Sequence, residues 1–285
     1  MEFCVVKINY QKFQPQDLWI LEKTKSELAE NMILKFKKID GGKKLGFGIY
    51  ALSYIHSNGD ECVIYIGKFS GKMSRNGSID NAMDGDARER WFKHIGTASL
   101  LLADLRMKSK DSFTSHQKKS QLFYKDDVKF LNCLEKSILG LESENLEKIF
   151  FKKDGNQISD NRLGFAIQNL IDTNSLTDLA LESFYKIISK FTIHYWQISF
   201  NKPVRKSQVE PLIEGTKNKP GVEKIVISKY KQQLPMNNEF LPEKGDFYHY
   251  DVMKLINIHS SDFTTLSHFI QDEIRMKFSN LMIEN

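Results

Sequence analysis

Residues 46–69 read GFGIYALSYIHSNGDECVIYIGKF, with Gly48-Ile49-Tyr50 in the first half and Tyr65-Ile66-Gly67 in the second. Gly46–Leu52 and Val63–Ile66 are rich in β-branched and aromatic residues, which suit a pleated, half-buried surface. Between them lies Ser57-Asn58-Gly59-Asp60. Asn-Gly between two such runs signals a tight hairpin, because both central residues of the favoured turn need positive φ. The stretch therefore predicts two paired neighbouring strands, each contributing one tyrosine, Tyr50 and Tyr65.

Downstream, Ser70–Asp86 is rich in Gly, Ser, Asn and Asp and predicts a loop. Asp86 suits the N-cap of a helix in which Trp91, Ile95, Ala98 and Leu102 recur every three or four residues as a buried stripe. Arg90 and His94, four apart, share a neighbouring face. A second helix is expected from Asp126 or Asp127, with Val128, Leu131, Glu135, Ile138 and Glu142 along one face. Glu135 thus interrupts an apolar surface and needs a partner, whether a bound metal, an arginine or a tyrosine hydroxyl. Between the helices, residues 106–125 carry Arg106, Lys108, Lys110, Lys118, Lys119 and Lys125, which fit either a solvated loop or a DNA-backbone contact.

These residue types suit phosphodiester hydrolysis, in which a water is deprotonated, charge on the phosphorus oxygens is stabilised and the leaving oxygen is neutralised. Glu135 can hold a divalent cation through hard oxygen ligands, with waters completing the octahedron of Mg²⁺. Arg90 can fork two donors onto a phosphate. Tyr50 and Tyr65 can orient the water. A phenol has a resting pKa of about 10, so Tyr50 serves as a base only where neighbouring cations lower it. Lys68 and His94 are the nearest candidates for that influence.

In this order and hairpin context, the two tyrosine tripeptides, Arg90-xxx-His94 and Glu135 resemble the GIY-YIG nuclease superfamily over roughly residues 45–150. The resemblance implies an α+β fold, a small core with a three-stranded antiparallel sheet flanked by helices. It implies dependence on Mg²⁺, for which Mn²⁺ can substitute. Tyr50 would act with the attacking water and Tyr65 line the site. Arg90 would bind the scissile phosphate, His94 assist and Glu135 hold the metal. Members often add an asparagine after that glutamate, for which Asn145 is the nearest fit. Arg75, ten residues after Tyr65, is the alternative arginine, but it sits in the turn-forming Ser74–Ser78 and no histidine follows it one turn later.

Within the superfamily the chain looks most like the bacterial type II restriction endonucleases, which similarly carry a long insert before the catalytic arginine. The implied activity is site-specific cleavage of double-stranded DNA, and palindromic cutting would call for a homodimer or homotetramer. A phage-defence or homing-type nuclease of different specificity, or a non-catalytic nucleic-acid-binding protein with a decayed nuclease core, are the alternatives.

On either side of the core the reading is coarser. Residues 3–9 predict a short strand, and Asp17 caps an expected helix from Leu18 to about Lys37, giving residues 1–44 as an N-terminal helical extension. The core is expected to span 45–152. Residues 153–285 are expected to be a mainly helical region for DNA recognition or assembly. It has a turn at Lys153–Asn156 and helices near 161–172, 176–199, 247–258 and 262–283. Glu223–Ser228 reads as a strand, and His194, inside the aromatic group Phe191–Phe200, as a packed core residue rather than a ligand. Lys202, Arg205 and Lys206 fall in a proline- and lysine-containing stretch, 201–232, that is expected to meet DNA.

Composition agrees with a globular protein at 41% hydrophobic and 27% charged, and a net charge of +5 permits a polyanionic partner. Three scattered cysteines give neither a zinc module nor a disulfide framework, which makes a reducing cytoplasm the simplest setting. Early, repeated charges speak against a signal peptide at the N-terminus, and no apolar run approaches the length of a membrane span.

Overall fold

The computed structural model describes residues 2–3, 5–25, 32–39, 45–55, 59, 61–69, 86–102, 106–109, 112–114, 125–140, 167–168, 170–171, 174–230, 260–279 and 281–283. In chain order the strands are β1 (Glu2–Phe3), β2 (Val6–Phe13), β3 (Trp19–Lys25), β4 (Met32–Lys38), β5 (Gly48–Ile55) and β6 (Glu61–Phe69). Helix α1 (Arg88–Leu102), the small hairpin β7 (Arg106–Ser109) and β8 (Ser112–Thr114), and helix α2 (Lys125–Leu139) follow. The chain continues with α3 (Asp178–Ile188), β9 (Phe191–Phe200), α4 (Lys206–Ile213), α5 (Val222–Tyr230), α6 (Ser260–Phe278) and β10 (Met282–Ile283).

The central sheet has four antiparallel strands in the order β2-β9-β5-β6. The tyrosine hairpin β5–β6 forms as expected, with Gly59 at φ 90° in its turn. Its register sets Tyr50 opposite Gly67 and Leu52 opposite Tyr65, with a bulge after Leu52. Both strands are buried along nearly their whole length because helices cover both faces. On one face Tyr50, Leu52 and Tyr65 pack with Trp91, Ile95, Leu134, Ile138 and Phe184. On the other, Ile49, Ala51 and Ile66 pack with Val209, Val222, Val226 and the α6 stripe Leu266, Ile270, Ile274 and Phe278. Each fully buried apolar side chain of that stripe contributes roughly 1.5–3 kcal/mol.

The antiparallel sheet flanked by helices is present, with four strands where three were expected, because part of the segment expected as helix 176–199 joins it as β9. Residues 19–25 and 32–38 form a β-hairpin, not a helix. Leu18, Leu21, Leu28 and Met32 keep a helical period but Leu34 breaks it, and Trp19, Ile20, Ile33 and Phe36 favour strands. The expected helix 176–199 stops at Ile188. FTIHYWQISF, with its β-branched and aromatic residues, becomes β9 and takes an inner place in the sheet. Conversely Glu223–Ser228 lies in helix α5, where Val222, Val226 and Tyr230 are buried at i, i+4 and i+8. The sheet therefore draws a strand from each of the segments 1–44, 45–152 and 153–285, so those boundaries do not separate structural units.

A polar network, buried at Ser53 and His194 and open to solvent at Tyr10 and Lys12, spans all four strands. Tyr10 of β2 donates its hydroxyl to His194 Nδ1 at 2.8 Å, and His194 Nε2 donates to Glu61 Oε1 at 2.8 Å. Ser53 Oγ donates to the same Glu61 oxygen at 2.5 Å, and Lys12 Nζ reaches Glu61 Oε2 at 3.1 Å. Burial keeps His194 neutral, in part against the pull of Glu61. His194 is thus a satisfied core residue. The loop 70–85, the turn 153–156, most of 161–172 and the predicted helix 247–258 lie outside the described residues.

Candidate active site

Strand β5 carries Tyr50 on the face that α1 covers, and Tyr50 is fully buried. Its ring lies 6.0 Å from Tyr65, 5.9 Å from His94 and 6.1 Å from Trp91, centroid to centroid. Tyr65 and His94 stack at 4.3 Å with their planes 25° apart. Gly67, opposite Tyr50, leaves the space the phenol uses: a Cβ there would stand 2.6 Å from Tyr50 Oη and 2.7 Å from Tyr65 Cε1. Glycine is needed at this strand position for close approach rather than for backbone freedom.

Helix α1 begins as the sequence predicts. Asp86 accepts from the Arg88 backbone N–H at 3.1 Å and grips the Arg88 side chain. Trp91 and Ile95 anchor the helix in the core, which brings His94 over the tyrosine rings and Arg90 to their rim. Arg90 is an exposed residue, and its charge acts on the Tyr50 and Tyr65 phenols and on the Glu223 carboxyl. Tyr50 Oη itself completes no hydrogen bond of good geometry, so it is a buried hydroxyl beside a cation with its own capacity unspent.

The electrostatics depart from expectation. Burial pushes the Tyr50 phenol well above its usual range, helped by Tyr65, and Arg90 offsets this only in part. Tyr65 is pushed up to about 12 by burial and by Glu223, again against Arg90. His94 is pushed down to about 3 by burial and by the charges of Arg90 and Lys93, so it is neutral near pH 7. Neither tyrosine is a ready base, and His94 supplies no charge to make one. Lys68 does not supply it either. It pairs across the ladder with Ile49, on the opposite face from Tyr50, and its ammonium binds Glu214 at 2.5 Å and Glu223 at 3.5 Å.

Glu135 lies in α2, one residue after Leu134 and three before Ile138, both of which are buried in the same cluster as Tyr50. The Glu135 side chain lies outside the described residues, as do Lys110, Lys118, Lys119 and Asn145 altogether. Lys108 lies in β7 and Lys206 opens α4, with side chains likewise outside the description. Lys202 is half-buried and Arg205 exposed, at the N-terminal end of α4. Among the described residues no three carboxylate, histidine or cysteine side chains gather into a metal cage. Mg²⁺ is commonly held by one or two carboxylates and several waters, so the carboxylate residue type of Glu135 suits such an ion.

The sequence reading missed Glu214 and Glu223. Read as a strand, 223–228 gives no reason to aim Glu223 anywhere. Read as a helix starting after Pro220-Gly221, it puts an acidic residue in the first turn. No family model, curated protein or solved structure matches this chain.

Proposed function

We propose that this protein is a divalent-metal-dependent DNA endonuclease of the GIY-YIG kind, cutting double-stranded DNA at specific sites. The observation that carries the reading is the convergence of Tyr50 from β5, Tyr65 from β6, and Arg90 and His94 from α1 at one place. These residues are separated by up to 44 positions in the chain, from Tyr50 to His94. They come together only because the hairpin and the helix pack as they do.

In this reading Arg90 stands at the rim, where a backbone phosphate can approach, and its fork holds the charge that grows on the phosphorus oxygens. Tyr50 keeps its proton at neutral pH and uses its hydroxyl to orient the attacking water. Tyr65 and the neutral His94 stack as a wall that fixes the Tyr50 ring. Mg²⁺ or Mn²⁺, held by Glu135, would supply the positive charge that acidifies the water and neutralises the leaving oxygen. Arg205, Lys202 and the lysines of β7 and its flanks would hold the duplex backbone, and a symmetric homodimer or homotetramer would match a palindromic target.

The test is digestion of plasmid and phage DNA with Mg²⁺ or Mn²⁺ against an EDTA control. Discrete fragments support a restriction enzyme, and a smear supports a nuclease of low specificity. No cleavage with either metal overturns the reading.

A further inference from the structure

Helices α4 and α5 are joined by Glu214–Gly221, whose exposed part, Thr216–Pro220, reads Thr-Lys-Asn-Lys-Pro. The connection is closed by its own backbone. Gly215 and Pro220 form an antiparallel bridge, and the Thr216 N–H donates to the Lys219 carbonyl at 2.8 Å. Thr216 Oγ1 accepts from the backbone N–H groups of Asn218, at 3.4 Å, and Lys219, at 3.2 Å. Gly215 lies at φ 93°, and a Cβ on Gly221 would run into the Gly215 nitrogen and the Ile213 carbonyl, so the two stems touch. From α6, Lys277 Nζ donates to the Pro220 carbonyl at 3.0 Å.

Both stems are also stapled to the central sheet. Lys68 of β6 binds Glu214, the first residue of the connection, at 2.5 Å and Glu223, in the first turn of α5, at 3.5 Å. The Lys68 side chain is only 16% exposed, so salt screens the staple little. Lys68 follows Gly67, over which the Tyr50 hydroxyl lies. The turn is thereby fixed to the strand beneath the tyrosine site. Lys217, Lys219 and Lys224 are exposed, and among the described residues no ion pair engages them. The carboxylates at the foot of the turn, Glu214 and Glu223, are drawn onto Lys68 instead. A turn fixed this firmly matches a partner whose negative charges are themselves fixed in space, as the phosphates of a duplex are.

We propose that the turn Thr216–Pro220 grips the backbone of duplex DNA through Lys217 and Lys219, and that Lys68 is the positioning residue that sets this grip relative to the tyrosine site. The inference rests on the nuclease reading for its choice of partner and on the printed ion pairs and turn geometry for its structure. Lys68 in this role touches neither a phosphate nor Tyr50. It acts by holding both stems of the turn on β6. Backbone contacts fix the register of a protein on a duplex, so a grip tied to this strand returns one phosphate to the same place at each encounter.

The experiment follows binding of the full-length protein to a fluorophore-labelled duplex fragment in EDTA across a salt series, with single-turnover plasmid cleavage in Mg²⁺ beside it. Lys217→Ala with Lys219→Ala should make the logarithmic salt slope shallower by about 1.8, two contacts at about 0.9 each. The matched exposed pair Lys23→Ala with Lys186→Ala should leave the slope unchanged. The staple is tested by Lys68→Met with Glu214→Gln and Glu223→Gln, which removes the triad without leaving a buried charge unpaired. This triple variant loses one positive and two negative charges, so charge alone would tighten DNA binding. Loss of the staple should instead flatten the slope, and adding Lys217→Ala and Lys219→Ala should flatten it no further. Its cleavage rate at saturating DNA should fall roughly tenfold, as expected when substrate is misplaced. Lys68→Arg, which keeps the charge, should keep the slope, and Glu214→Gln alone, which frees one stem, should fall between.

An unchanged slope in the folded Lys217→Ala, Lys219→Ala protein overturns the grip. A folded triple variant that binds as well as wild type, or in which the two lysines still count in full, overturns the role of Lys68. A wild type that shows the expected loss on Lys217→Ala with Lys219→Ala, yet cuts with neither Mg²⁺ nor Mn²⁺, overturns the nuclease reading and leaves the grip standing.

Discussion

Replacing Gly67 with Ala is the sharpest small perturbation of the tyrosine pair. The new methyl carbon would lie 2.6 Å from Tyr50 Oη, 2.7 Å from Tyr50 Cζ and 2.7 Å from Tyr65 Cε1. Ordinary carbon contacts need about 3.5–4 Å, so the rings must give by about 1 Å. Tyr50 has little room to do so, being fully buried and flanked by Trp91, Tyr65 and His94. Overpacking of this kind costs about 1–3 kcal/mol. For a chain of this size that corresponds to a melting temperature lower by about 2–10 °C. The functional loss should be larger, since a displacement of about 1 Å at a reacting group can cost about a hundredfold in rate. Thermal unfolding measures the first effect and single-turnover cleavage under saturating Mg²⁺ the second. A Gly67→Ala protein that melts with the wild type would refute the placement of Tyr50 over Gly67. One that melts lower yet cuts at the wild-type rate would remove the Tyr50 hydroxyl from the chemistry.

Tyr50→Phe deletes a buried hydroxyl that makes no hydrogen bond of good geometry, so stability should change by less than about 1 kcal/mol while cleavage is abolished and duplex binding in EDTA survives. Arg90→Ala should lower the single-turnover rate by about a hundredfold or more, whereas Arg75→Ala should only weaken binding slightly and reduce its salt slope. Glu135→Ala should lose productive cleavage across a Mg²⁺ and Mn²⁺ titration while remaining folded by circular dichroism; an unchanged metal dependence would return Glu135 to a structural role. Stability should fall as pH drops below about 6.5. His94, at about 3, stays neutral in the folded state but is protonated in the unfolded one, adding a slope of about 1.4 kcal/mol per pH unit, and His194, also lowered by burial against the pull of Glu61, acts in the same direction. Glu61 steepens the fall below about 4.5, because burial raises its pKa less than hydrogen bonds from His194 and Ser53 lower it; Glu223, raised by burial, opposes the trend. Urea unfolding across pH 4.5–7.5 measures this, and His94→Gln should remove about one proton from the slope.

The hairpin and α1 were legible because their signals are local: a turn sequence, an N-cap and a helical stripe. Arg90 and His94 follow from the spacing on that helix. Strand β9 was not legible, because FTIHYWQISF follows a helical run directly, with no glycine or proline to mark where helix gives way to strand. The β3–β4 hairpin was hidden by lysines and leucines that favour helices, and pairing with the other strand overrode that preference. Lys68 looked like a site cation because it adjoins Tyr65-Ile66-Gly67. The pleat sends it to the other face, and only the fold supplies the glutamates that meet it there.

The inner position of β9 also sets a clock on biosynthesis. Strands β5 and β2 both pair with β9, whose residues 191–200 are made long after the tyrosine hairpin ends at Phe69. At about 5–20 residues per second, the ribosome needs about 6–25 s to travel that distance. During that interval the hairpin has no inner neighbour, and a lone two-stranded ribbon is marginal in water. Any fragment that stops near residue 155 is in the same state permanently and should be unfolded rather than a smaller working core. The growing chain thus carries both tyrosines for many seconds without the surroundings that orient them. Its unpaired β5 edge during that wait is where a chaperone, or a second nascent chain, would find it first.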